Sequence, residues 1–121
     1  MKVRYVLFIL VSMLAAACGS SSSPSTTAPT TTTGTPVSIV SGSSTLTTTA
    51  YSPNPVTVAV GGTVTWTNND SVTHTSVANN GAFNSGTIAP GGSFSMTFPS
   101  AGSFPYHCSI HPGMVGTVTV Q

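Results

Sequence analysis

From Pro36 to Gln121 the chain alternates apolar side chains with serine and threonine, as in Val56-Thr57-Val58, Thr63-Val64-Thr65-Trp66-Thr67, Ser93-Phe94-Ser95-Met96-Thr97-Phe98 and Val118-Thr119-Val120. A period of two sends every second side chain to the same face of an extended strand, whereas an amphipathic helix needs apolar residues every three or four positions. Glycine or proline interrupts the alternation every eight to twelve residues or so, the spacing of a sandwich or barrel. Val56, Val58 and Val60 run to Gly61-Gly62 and are followed by Val64 and Trp66, which predicts a hairpin closed at the glycine pair. Phe94, Met96 and Phe98 share one face, Pro99 to Gly102 turn the chain, and Phe104, Tyr106 and Cys108 share the next. Val118 and Val120 close the domain. The fold class is therefore all-β, with two antiparallel sheets packed face to face over residues 36–121.

The charge distribution separates this part from what precedes it. Of 121 residues only two are basic and one is acidic, so charged side chains make up 2% of the chain, against about 25% in an average domain. Both cations, Lys2 and Arg4, precede the apolar run Tyr5 to Leu14, which ends in Ala15-Ala16-Ala17-Cys18. Residues 1–17 read as an export signal, too short and too soon interrupted for a comfortable transmembrane helix. Cys18 followed by Gly19 resembles the lipobox of bacterial lipoproteins, with Ala15 where that pattern most often has Leu. The resemblance implies lipidation of Cys18, a membrane contact through the lipid and a periplasmic or cell-surface location; the alternative is an ordinary signal peptide cut nearby. Residues 18–35, nearly all Ser, Thr, Pro, Ala and Gly, hold nothing that could form a core and read as a disordered tether. Without the signal, Asp70 is the one charged side chain left, and its place after two asparagines predicts a turn former. Such a surface has no basic stripe for nucleic acid and no field for steering, so partners must be met by shape and apolar contact.

With Cys18 assigned to the anchor, Cys108 is a lone thiol in an oxidising compartment, where a bound metal would protect it. Strand parity turns Cys108 inward with Phe104 and Tyr106 and turns His107 outward. His111 and Met114 follow at C-x2-H-x2-M spacing in a loop, Ser109 to Gly113, short enough to fold back over the thiol, and His74 lies upstream near a strand start. Thiolate and thioether are soft donors and imidazole is borderline; two His and one Cys with a weak axial Met are the ligand set of type 1 copper. Zinc competes for Cys and His but does not use Met. Four protein ligands leave no open position for water or substrate, so the expectation is one copper ion, no enzymatic activity and outer-sphere electron transfer.

The run Phe104-Pro105-Tyr106-His107-Cys108-Ser109-Ile110-His111-Pro112-Gly113-Met114-Val115-Gly116 resembles the copper loop of the cupredoxins, its short spacing that of amicyanin-like members, and Val56 to His74 is similar to the strands preceding that family's first His ligand. The resemblance covers residues 52–121 and implies a Greek-key β-sandwich of about eight strands. It also implies a small monomeric electron carrier exchanging with a redox donor and acceptor. Carried over by position, His74 and His111 ligate through imidazole, Cys108 through thiolate and Met114 axially. Thr75 stands where the family often has Asn, and its hydroxyl is expected to bond to backbone near Ser109. Ile110, Pro112 and Gly113, with the turn from Pro90 to Gly92, are expected to form an apolar docking patch around His111. Two alternatives remain: a copper-delivery protein using the same ligands, and a domain like that of copper nitrite reductases, in which His107 beside Cys108 would link to a second copper.

Overall fold

The computed structural model describes residues 34–121. The export signal, Cys18 and all but the end of the tether lie outside the described residues. No helix among the described residues is long and apolar enough to cross a membrane. Eight strands are present among the described residues: β1 Thr35–Ile39, β2 Tyr51–Ser52, β3 Val56–Val58, β4 Thr63–Asn68, β5 Val77–Ala78, β6 Ser93–Thr97, β7 Gly102–His107 and β8 Val115–Val120. The only helical turn described is the 3-10 segment Ser43–Thr45. The strands form two four-stranded sheets, ordered β2-β1-β4-β6 and β3-β8-β7-β5. This is the cupredoxin-like β-sandwich that the alternation and the resemblance imply.

Two details differ from expectation. Neither sheet is purely antiparallel, because β1 pairs with β4 and β3 with β8 in parallel. The chain also does not close a hairpin at Gly61-Gly62: β3 and β4 lie in different sheets, and the connection between them passes from one sheet to the other with Val60 52% exposed. The alternation cannot separate these cases. Val56, Val58, Val64 and Trp66 face the core whether β4 folds back beside β3 or arches over to the facing sheet. What selects the arch is pairing elsewhere, since Gly61 donates to the Phe98 carbonyl at 2.7 Å and Phe98 to that of Gly62 at 2.9 Å. The left-handed φ of +82° at Gly61 suits this bend.

Trp66 lies at the centre, fully buried, with ring centroids of Phe83, Tyr106 and Phe94 at 5.2, 5.4 and 5.7 Å. Aromatic contacts of this kind add to the apolar burial that holds the two sheets together. On the outer face of the β4–β6 pair, hydroxyls meet across strands: Thr63 with Thr97 at 2.8 Å, Thr65 with Ser95 at 2.8 Å and Thr67 with Ser93 at 3.0 Å. Hydroxyls thus hydrate the outer faces without charge.

A candidate metal centre

β7 ends at His107 and β8 begins at Val115, so Cys108 to Met114 form the link between adjacent antiparallel strands. The link is closed by two backbone bonds, Cys108 N–H to the Met114 carbonyl at 3.1 Å and Met114 N–H to the His111 carbonyl at 2.9 Å. Cys108 and Met114 are fully buried, His111 is half-buried, and Ile110, Pro112 and Gly113 are exposed, Ile110 by 48%. Gly91 and Gly92 bond to the backbone of Asn68, at the end of β4 from which the His74 loop departs.

The fourth predicted residue arrives by a different route. After β4 the chain loops from Asn69 to Thr73, and the buried Asn68 side chain holds that loop: its amide donates to the carbonyls of Val72 and Ile88 at 2.8 and 2.9 Å and its oxygen accepts from Asp70 N–H at 2.9 Å. His74 then pairs with Ile88 through both backbone groups, at 3.1 and 2.8 Å. A polar side chain without exposed surface is tolerable here because its donors and acceptor all have partners.

These two segments bring three donor atoms together. His74 Nδ1 and His111 Nδ1 are 3.2 Å apart, and the Cys108 Sγ lies 3.9 Å from the first and 3.8 Å from the second. A triangle of this size is what three first-row metal bonds of about 2.0 to 2.3 Å would span. Two imidazoles and a thiolate are a borderline-to-soft set that suits copper. His74 and Cys108 have no exposed surface, so bulk water is kept from two of the three donors.

Thr75 ties the two segments to each other. Its backbone N–H donates to the Cys108 sulfur at 3.3 Å, its hydroxyl lies 3.7 Å from the same sulfur, and that hydroxyl accepts from Ser109 N–H at 2.7 Å and meets the Ser109 hydroxyl at 2.9 Å. Burial pushes the Cys108 thiol up, yet the hydrogen bonds from Thr75, His74 and the His111 backbone outweigh it and hold the thiol at about 6, against 9.0 ordinarily. The sulfur is therefore predisposed to be a thiolate, the form that binds metal.

Asp70 is the residue the sequence left as a turn former. It does shape the turn, accepting from Ser71 N–H at 2.8 Å, but its carboxylate is buried and also accepts from His74 Nε2 at 2.8 Å. Hydrogen bonding to His74, then to the backbones of Gly42 and Ser71, holds its carboxyl well below the usual carboxylate range despite burial. A signal was present in the i, i+4 spacing from the chain's one carboxylate to a histidine. His107 points away from the three donors and sets its Nδ1 2.6 Å from the Asn79 side-chain oxygen. Met96 packs against the core from its strand, as its shared face with Phe94 and Phe98 predicts.

The chain belongs to the copper-binding proteins of the plastocyanin/azurin family, whose model matches residues 38–121. Within that cupredoxin class it is similar to a plastocyanin of Scenedesmus fuscus, 38% identical over an alignment of 84 positions, with 59% of this chain and 86% of that protein covered. It is also similar to the amicyanin of Paracoccus denitrificans, 34% identical over an alignment of 76 positions, with 59% of this chain and 58% of that protein covered. Among solved structures, the purple cupredoxin of Nitrosopumilus maritimus superimposes with a TM-score of 0.67 at 39% identity, covering 72% of this chain and 99% of that one.

Proposed function

We propose that this protein is a one-electron carrier built around a single type 1 copper ion held by His74, Cys108, His111 and Met114. Bound there, copper would supply a Cu(II)/Cu(I) couple whose ligands need move little between the two states. The observation that carries the reading is the triangle of His74 Nδ1, His111 Nδ1 and Cys108 Sγ, with sides of 3.2 to 3.9 Å.

Each residue contributes a separate task. Cys108 offers a thiolate whose charge the Thr75 N–H steadies. The bridge to Ile88 fixes the His74 backbone before any metal binds. Met114, fully buried, would supply a weak thioether donor to the ion and helps exclude water. Thr75 and Ser109 lock the two ligand-bearing segments to one another, which resists rearrangement. The half-buried ring of His111, among the exposed Ile110, Pro112 and Gly113, would be the port for electrons from a redox donor and to an acceptor. A carrier rather than an enzyme is favoured because every side chain that ligates is spent on the ion and the remaining histidine, His107, is bonded to Asn79. Export, lipidation at Cys18 and a tether over residues 18–35 would place this monomeric domain outside the cytoplasm, held to a membrane.

The test is the visible spectrum of the copper-loaded protein with and without reductant. The expected result is an intense thiolate-to-copper band that bleaches on reduction, returns on oxidation and is missing in Cys108→Ser. Copper uptake without that band, or a band unaffected by reductant, overturns the reading.

A further inference from the structure

Asp70 is the chain's one acidic residue, and the fold buries it. Its Oδ1 accepts from the backbone N–H groups of Gly42 and Ser71 at 3.0 and 2.8 Å, and its Oδ2 accepts from the Ser43 hydroxyl at 3.2 Å and from His74 Nε2 at 2.8 Å. The Ser43 oxygen itself lies 3.0 Å from the same ring nitrogen. Burying a lone carboxylate among apolar strands is costly unless its lone pairs are filled, and here four donors converge on it. Two of them come from the β1–β2 connection, which is remote in sequence from Asp70. The arrangement is far more than a turn requires, since Asn68 and the Ser71 N–H already shape the turn.

We propose that Asp70 is a positioning residue for the metal centre, fixing His74 in the tautomer that leaves Nδ1 free toward Cys108 and His111 and setting a negative charge one imidazole away from the ion. An ionised carboxylate can only accept, so the hydrogen at Nε2 belongs to the Asp70 contact and the lone pair of the neutral ring falls on Nδ1. A backbone carbonyl would fix the tautomer equally well; what the carboxylate adds is charge. Through the shared ring this charge favours the more highly charged oxidation state and lowers the reduction potential of the couple. The inference rests on the copper reading above, and its two parts separate by substitution. Asp70→Asn keeps an acceptor at the same place and removes the charge, whereas Asp70→Ala removes the charge and the carboxylate acceptor, leaving the Ser43 hydroxyl alone at Nε2.

The experiment uses the full chain. In the metal-free protein, nitrogen NMR of the histidine rings reports the His74 tautomer; in the copper-loaded protein, spectroelectrochemical titration of the thiolate-to-copper band reports the potential. Wild type is expected to carry its His74 proton on Nε2. Asp70→Asn is expected to favour the reduced over the oxidised state at least tenfold more than wild type, a rise of about 59 mV for a one-electron couple, and Asp70→Glu to fall back toward wild type. Asp70→Ala is expected to weaken the tautomer preference, leaving the Ser43 hydroxyl as the acceptor within reach of Nε2, and to bind copper more weakly. A residue that merely held the β1–β2 connection would lower the melting temperature in these variants and leave the potential of Asp70→Asn unchanged. That unchanged potential, or a metal-free wild type protonated at His74 Nδ1, overturns the proposal. A wild type that takes up copper without a thiolate band would instead sink the carrier reading, and the metal-free tautomer would still decide the positioning of His74.

Discussion

Cys108 shows how much a single side chain owes to neighbours from another segment. Its parity on β7 is visible in the alternation with Phe104 and Tyr106, and it is buried as that parity requires. Its chemistry comes from Thr75, 33 positions away, whose N–H points at the sulfur. The linkage has a definite sign. A thiol lowered from 9.0 to about 6 stabilises the folded metal-free domain fully above the unfolded value, and that contribution is lost as pH falls through the folded one. The ultraviolet thiolate absorbance of the metal-free protein is therefore expected to titrate with a midpoint about pH 6. The stability of the metal-free domain should decline from pH 9 toward pH 6, measured by urea unfolding. A thiol titrating at its ordinary value would mean that the Thr75 contact is not made in solution.

Among the elements, β8 and β7 are the pair on which the loop from Cys108 to Met114 hangs, and their packing depends on one position without a side chain. Gly116 faces the Tyr106 ring, directly opposite it in the ladder, and a Cβ there would collide with the ring. The ring cannot swing aside, being packed by Tyr51, Trp66 and Phe83. Gly116→Ala is expected to destabilise the domain by about 1 to 3 kcal/mol, the usual cost of overpacking a close-packed site, read as a lower urea midpoint at an unchanged m value. The same scale shows where sequence patterning stops. Inward and outward positions of β3, β4, β6, β7 and β8 follow from the period of two, but the partner of each strand does not. The step from β3 to β4 leaves every residue on its expected face and still changes sheet, because side-chain parity is blind to which neighbour completes the ladder.

For the whole molecule the decisive quantity is charge. The described domain holds no lysine, arginine or glutamate, and its one carboxylate, Asp70, is buried against His74. Hydroxyl pairs such as Thr63–Thr97 and Thr65–Ser95 hydrate the outer face in place of ions. With no exposed Lys, Arg, Asp or Glu side chain among the described residues, the rate of electron exchange with a redox partner is expected to change less than about twofold from low to high ionic strength, whereas steered partners lose rate steeply with salt. Stopped-flow measurement across a salt series checks this; a steep decline would show that a charged face outside residues 34–121 takes part in docking.

The sequence by itself determined the β class, the inward thiol and the three clustered candidates Cys108, His111 and Met114, because period-two alternation and a short loop are local properties that need no distant partner. The family resemblance added His74 and the Thr75 contact with Ser109. Only the tertiary structure decided the arch at Gly61-Gly62 and the burial of Asp70 against His74, since both depend on groups far apart in the chain: Phe98 accepts from Gly61, and Gly42 and Ser43 complete the shell around the carboxylate. Spacing in a sequence encodes which face a residue takes along its own strand, while hydrogen bonds between remote segments are settled by how the strands are stacked.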